Sequence, residues 1–396
     1  MSILGHPSNA GRAVTRGLPI RAQTFTAGAN PVPIHGAYRR CMPVSVPPDP
    51  TLIEILSSVL LFLAASLPVA IGITLAVVAE PGGTVAARVR TLAVPASVLL
   101  VVTTAVQVWT ARSTSTAQIA MDAVAVLGLA ALCSRPSRGL AAVTALAGAG
   151  AALLPVMPSS LAAAPRGVLT SVHVLGALVW VGGLVVLAVA GLLSRRAGAQ
   201  RPDAVHDWAQ SWERFSVLAL WAVGAMIVSG TWLAWTHVGS PAQLVTTPYG
   251  RHLTIKLVLV GLLLAAGAYN TRVLLPRIRA ARADGDARMM LQLAVDHFPA
   301  VVAAESVIAV AVLAVVPFLR GSARGQAGGA AAGPFDLTVF GCGAVLVAIT
   351  AAALWAGTRV PPRKPAPHPT SAAPRPPAPD VATERRDPGR TGSTRP

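Results

Sequence analysis

Apolar positions along the chain come in long unbroken runs, neither alternating as in a strand nor confined to one face of a helix. Nine runs stand out, at 52–79, 91–111, 117–133, 139–157, 167–193, 215–236, 252–275, 300–319 and 335–356. Most reach the roughly 20 residues that a helix needs to cross a hydrocarbon layer of ~30 Å. A helix also satisfies its own backbone there, where no water is available. The run at 117–133 is the least regular, because Asp122 interrupts it. The pattern predicts an all-α integral membrane protein, a polytopic bundle of nine transmembrane helices in a lipid bilayer. The links between runs are too short for a catalytic domain.

Composition agrees, with 54% hydrophobic and 12% charged residues, where a soluble domain carries about a quarter charged. The net charge of +17 changes the picture less than it first suggests. Its basic residues are spread over tails and links, so they read as topology signals and no nucleic acid is expected. The links after the first, third, fifth and seventh runs, with the C-terminal tail, hold 20 Lys and Arg against 5 in the other links. The basic side faces the cytoplasm. The C-terminus is therefore expected inside and the N-terminus outside, in a multi-pass plasma-membrane protein. Arg12, Arg16, Arg21, Arg39 and Arg40 oppose this orientation, and all five precede Met42. A translation start at Met42 would remove the conflict. Segment 1–50 and the Pro- and Arg-rich tail 358–396 read as disordered by composition. No secretory pattern precedes residue 52. Cys41, Cys133 and Cys342 share no close spacing, so neither a disulfide framework nor a thiolate metal site is expected.

The fifth run reads SVHVLGALVWVGGLVVL. At 3.6 residues per turn His173, Gly176, Trp180, Gly183 and Leu187 share one stripe. Glycines let a partner backbone approach, so His173 points into the bundle. An ionisable group at that depth is functional by default. His237 closes the sixth run and His252 opens the seventh, which places both at the outer side with His173. Imidazoles suit copper, and a reduced copper ion also takes thioether sulfur. Met226 lies on the stripe of His237, eleven residues deeper. Lys256 and Asn270 share a face of the seventh run. Glu305 lies toward the cytoplasmic end of the eighth, where a carboxylate must face the bundle and find a partner. No GxxxxGK[ST], HExxH or GxSxG occurs, so no enzyme and no catalytic residue is expected.

These pieces in order resemble the copper-resistance protein D (CopD) family over roughly 167–320. The series is H-x6-W-x-G-G (His173, Trp180, Gly182, Gly183), RFS at 214–216, SG at 229–230, TPYGRHLTIK at 247–256, Asn270 and Glu305. The resemblance implies a four-helix copper-handling domain of the inner membrane, thought to move copper toward the cytoplasm and often paired with an extracytoplasmic copper-binding protein. It makes His173 the family's helix-5 histidine and Glu305 its helix-8 carboxylate. Relatives carry a Gly-His-Ala element where this chain reads LLPVMPSSLAAAP, so one expected histidine is absent and Met157 stands nearby. Residues 51–166, four helices, and 335–357, a ninth, match in hydropathy alone.

Copper transport is the leading expectation, with His173, His237, His252 and Met226 as metal ligands. Trp180, Gly182, Gly183, Lys256, Asn270 and Glu305 are further intramembrane residues of the site. The alternatives are a membrane electron-transfer protein holding haem b between histidines on facing helices, and a non-transporting sensor or assembly factor for copper enzymes.

Overall fold

A computed structural model describes residues 49–110, 114–158, 160–196 and 202–330, with scattered positions between 341 and 352. The expectations for segment 1–50, the ninth run and the C-terminal tail fall almost wholly outside the described residues. Among those residues there is no strand, and eight helices are long and apolar enough to cross a membrane. They are α1 (Leu52–Val78), α2 (Thr84–Trp109), α3 (Thr116–Ser134), α4 (Arg138–Val156), α5 (Ala164–Arg196), α6 (Asp203–His237), α7 (Pro248–Ala283) and α8 (Phe298–Leu319). The first eight apolar runs thus correspond one to one with helices, the run carrying Asp122 included.

Local chemistry sets the helix starts. Thr51 and Glu54 form a reciprocal capping box at α1, and the hydroxyls of Ser115, Ser137 and Thr247 cap α3, α4 and α7. Each satisfies a backbone N–H that the first helical turn leaves without a partner. Several helices outrun their apolar segments. The largest excess is at α6, which starts at Asp203 where the apolar run starts at 215. Its first turns mix charges with Trp208, Ala209 and Trp212, and all three of these are buried against the bundle. Hydropathy cannot show that, because the neighbouring charges lower the local average.

α5 is the hub, packing on α6, α1 and α8. α1 in turn contacts α2 and α4, α3 pairs with α2 and α4, and α7 packs on α8. Small residues set these approaches. A Cβ on Gly148 of α4 would stand 2.9 Å from the Pro68 ring of α1, and one on Gly72 of α1 would stand 2.8 Å from Ala145 of α4. In a bilayer the lipid is as apolar as the helices, so close backbone packing supplies the attraction that a hydrophobic core supplies in water.

Ion pairs fasten one end of the bundle. Arg214 of α6 donates to Glu80 Oε2 at 3.0 Å and to the Val78 carbonyl at 3.3 Å. Asp207 accepts from Val85 N–H at 2.9 Å and from the Thr84 hydroxyl at 3.0 Å, capping α2. Arg279 of α7 reaches Glu213 of α6 at 3.1 Å. At the other end a short helix, Ala323–Gln326, ties α6 and α7 together. Its Arg324 donates to the Trp235 carbonyl at 3.3 Å, and Gln326 accepts from Tyr249 N–H at 2.9 Å.

Candidate functional site

The site begins in the seam between α5 and α6. A Cβ on Gly176 would lie 2.7 Å from Met226 Cγ and 3.0 Å from the Ala222 carbonyl, and one on Gly183 would enter the Phe215 ring. His173 closes the same seam one turn before Gly176. Its Nδ1 lies 3.2 Å from the Met226 carbonyl and 3.3 Å from Ser229 Oγ, and its ring fills the space that Gly230 leaves open. The motif pieces are therefore counterfaces of one contact. Phe215 of RFS meets Gly183, and the Ser229–Gly230 pair meets His173. Gly182 points the other way, onto Ser66 and Ala70 of α1. Trp180 is buried in the main hydrophobic core.

Hydrogen bonding fixes the form of the imidazole. Ser229 Oγ donates to the Ala225 carbonyl at 2.7 Å, so toward His173 it can only accept. Met226 offers a carbonyl, also an acceptor. Nδ1 therefore carries the hydrogen of the neutral ring and Nε2 keeps its lone pair.

His237 and His252 repeat the arrangement. His237 Nδ1 faces the Leu233 carbonyl at 2.6 Å and Thr236 Oγ1 at 3.0 Å, and that hydroxyl donates to Leu233. His252 Nδ1 faces the Pro248 carbonyl at 2.8 Å. Each ring also lies on an aromatic neighbour. His237 stacks on Tyr249 at 5.9 Å with planes 7° apart, and His252 stacks on Phe318 at 4.5 Å with planes 17° apart. The TPYG turn sets these contacts, because Thr247 caps α7 and Gly250 lies against the Gln243 carbonyl where a Cβ has no room.

The three histidines are not gathered into one shell. Among the described residues no group of three or more His, Cys, Asp or Glu is placed to hold a metal ion. His237 lies seven to eleven residues beyond the His173 contacts on α6, roughly 10–16 Å along its axis. The three rings stand apart: His173 lies in the α5–α6 seam, His237 lies against Tyr249 of α7, and His252 lies against Phe318 of α8. Met226 touches Gly176 with its side chain and His173 with its backbone, so its sulfur is beside the seam without facing the ring. Met157 is exposed, and Cys133 is an exposed free thiol bonded to its own helix.

A second polar set lies deeper on α7 and α8. Lys256 is half-buried one turn below His252 and has no carboxylate at ion-pair distance among the described residues. Asn270 and Glu305 are buried, and Asn270 Nδ2 donates to Glu305 Oε1 at 2.6 Å. Lys256 and Asn270 are fourteen residues apart on one face, about 21 Å, with buried Leu263 between them.

Sequence reading missed the partners that orient the rings: Ser229, Tyr249, Phe318 and the helix carbonyls of Met226, Leu233 and Pro248. Only Ser229 and Tyr249 carried a signal, as members of the SG and TPYG pieces.

Residues 209–319 match the family model described as Copper resistance protein D, CopD. The match starts on α6 and runs through α8, so it holds His237, His252, Met226, Lys256, Asn270 and Glu305. It stops short of the fifth helix that the sequence resemblance had included. His173 and Gly183 are joined to the matched region by packing, on Ser229–Gly230 and on Phe215, whereas Gly182 faces α1. No curated protein and no solved structure matches the chain.

Proposed function

We propose that this multi-pass membrane protein carries copper across the plasma membrane toward the cytoplasm. His237 and His252 serve as ligands at the outer mouth, and His173 serves within the α5–α6 seam. The copper relation comes from the CopD match over 209–319. The observation that carries the residue assignment is the shared geometry of the three imidazoles. Each turns Nδ1 to acceptors of the helix backbone or a hydroxyl, which leaves Nε2 free for a metal. Metal-binding histidines usually have their other ring nitrogen held this way, because it fixes the ring and raises its basicity.

Separate sparse sites suit conduction better than one closed shell, since an ion must leave each ligand as readily as it arrives. Met226 offers a soft sulfur beside the α5–α6 seam. The reading involves no catalytic chemistry. A soluble copper-binding protein outside the membrane would deliver the ion to the His237–His252 mouth, where Arg324, Trp235 and Tyr249 form the rim.

The test is copper content of cells with and without the protein under limiting and excess copper. The expected result is higher cellular copper with the protein present. Equal copper under both conditions would sink transport and leave a sensing or assembly role. An absorbance spectrum of the purified protein separates the haem b reading, which requires a Soret band.

A further inference from the structure

The ligands proposed for copper are nitrogen and sulfur atoms, and the inner half of the bundle holds a site of another kind. Glu305 and Asn270 are 6% and 5% exposed, and Asn270 Nδ2 donates to Glu305 Oε1 at 2.6 Å. Asn270 Oδ1 is fully buried and receives no hydrogen bond. An unpaired buried acceptor costs about 1–3 kcal/mol. A carboxylate with no cation beside it inside a bilayer costs more. One change removes both penalties. When Glu305 carries a proton, its O–H can donate to Asn270 Oδ1 while its other oxygen accepts from Nδ2, the pairing of a carboxylic acid with a primary amide.

We propose that Glu305 and Asn270 form a buried proton-binding site that loads and empties as copper crosses, coupling copper movement to proton movement. The donor set favours a proton over copper, because both open atoms are hard oxygens and reduced copper prefers nitrogen and sulfur. The elements packed against α8 carry Glu54 on α1, Arg166, His173, Arg195 and Arg196 on α5, Arg251, His252, Lys256, Arg272, Arg277, Arg279 and Arg282 on α7, and His297 in the turn before α8. Among the described residues none of them is at ion-pair distance from Glu305, whose hydrogen bond there comes from the Asn270 amide.

The exchange balances in charge. Loading takes one proton from water and makes the pair neutral. Emptying returns the proton and leaves one negative charge, which a passing copper cation offsets. Proton and cation thus exclude one another.

The proton site stands on the pair itself, and its coupling role rests on the copper reading, so the experiment has two arms. In the first, infrared spectra of the full chain in lipid discs are compared with those of Glu305→Gln. The expected result is a carboxyl C=O band in the parent that the variant lacks and that reduced copper diminishes. In the second, vesicles carrying the parent are given a pH gradient. With one proton per copper, one pH unit shifts steady-state copper accumulation by about tenfold, and Glu305→Gln shows no such shift. Should Glu305→Gln fail to reach the membrane, Asn270→Leu keeps the carboxyl and removes its acceptor. The band is then expected to move to higher frequency, and an unmoved band overturns the pairing. Absence of a Glu305 band overturns the proton site, and accumulation in the parent that ignores the gradient overturns the coupling. Vesicles that accumulate no copper at all, with the band present, sink the copper reading and uphold the proton site.

Discussion

Replacing His173 with Leu separates a ligand from a packing residue, and the structure sets both magnitudes. What Leu removes is one interhelical hydrogen bond, from Nδ1 to the Met226 carbonyl and Ser229 Oγ at 3.2 and 3.3 Å. Such bonds between membrane helices average about 0.6 kcal/mol and reach about 1.7. Neither acceptor is stranded, since Ser229 keeps its bond to Ala225 and the Met226 carbonyl lies within a continuous helix. Leu is favoured in a bilayer by roughly 0.5 kcal/mol where a polar ring is not, and Gly230 leaves room for its branch. The net change in stability is therefore expected within about 1 kcal/mol. Losing a metal ligand is a larger perturbation, because losing even an outer-shell partner costs 10- to 100-fold in affinity or activity. Initial copper uptake into vesicles, normalised to protein by quantitative blot, is expected to fall at least about tenfold at unchanged abundance. Uptake equal to the parent at equal abundance refutes the role of His173. A fall in abundance to match the fall in uptake makes it a packing residue.

Three further outcomes follow from the packing and the charges. Gly183→Leu drives a side chain into the Phe215 ring, so membrane abundance falls and Phe215→Ala restores part of it; Gly182→Leu meets Ser66 and Ala70 instead, and Phe215→Ala does not rescue it. Arg214→Ala and Arg279→Ala each break a partly exposed ion pair and should lower stability by only about 0.2–1 kcal/mol, read as a small drop in thermal midpoint in detergent. A reporter fused after residue 358 should work only if it is active in the cytoplasm, and one placed in the 238–251 link only if it is active outside; the reverse result puts the histidines on the wrong side for uptake.

The eight helices were legible because each carries its own signal, an apolar run long enough to span, and Asp122 did not erase the third. The Thr104 hydroxyl donates to that carboxylate at 3.2 Å across the α2–α3 contact, and no sequence window can see such a contact. The first turns of α6 were hidden for a related reason, since Trp208 and Trp212 are buried beside charges that belong to the surface. In the site, the glycine stripe and His173 could be read from helical spacing. That the three histidines stand apart could not, because spacing gives a face and a depth while a ligand shell needs distances between helices. His237 and His252 are bonded to carbonyls of their own helices, which holds each ring at its own level.

Gly182 and Gly183 are adjacent in the chain and face different neighbours, which gives assembly of the protein an order in time. When α5 leaves the ribosome α1 is already complete, so the Gly182 side has its partner waiting. The Gly183 side does not, because α6 ends forty-one residues after α5. At about 5–20 residues per second, that interval lasts roughly 2–8 s. For those seconds His173 has no seam to close, and the half-finished protein must shelter an imidazole in lipid or in the insertion machinery until Ser229 arrives.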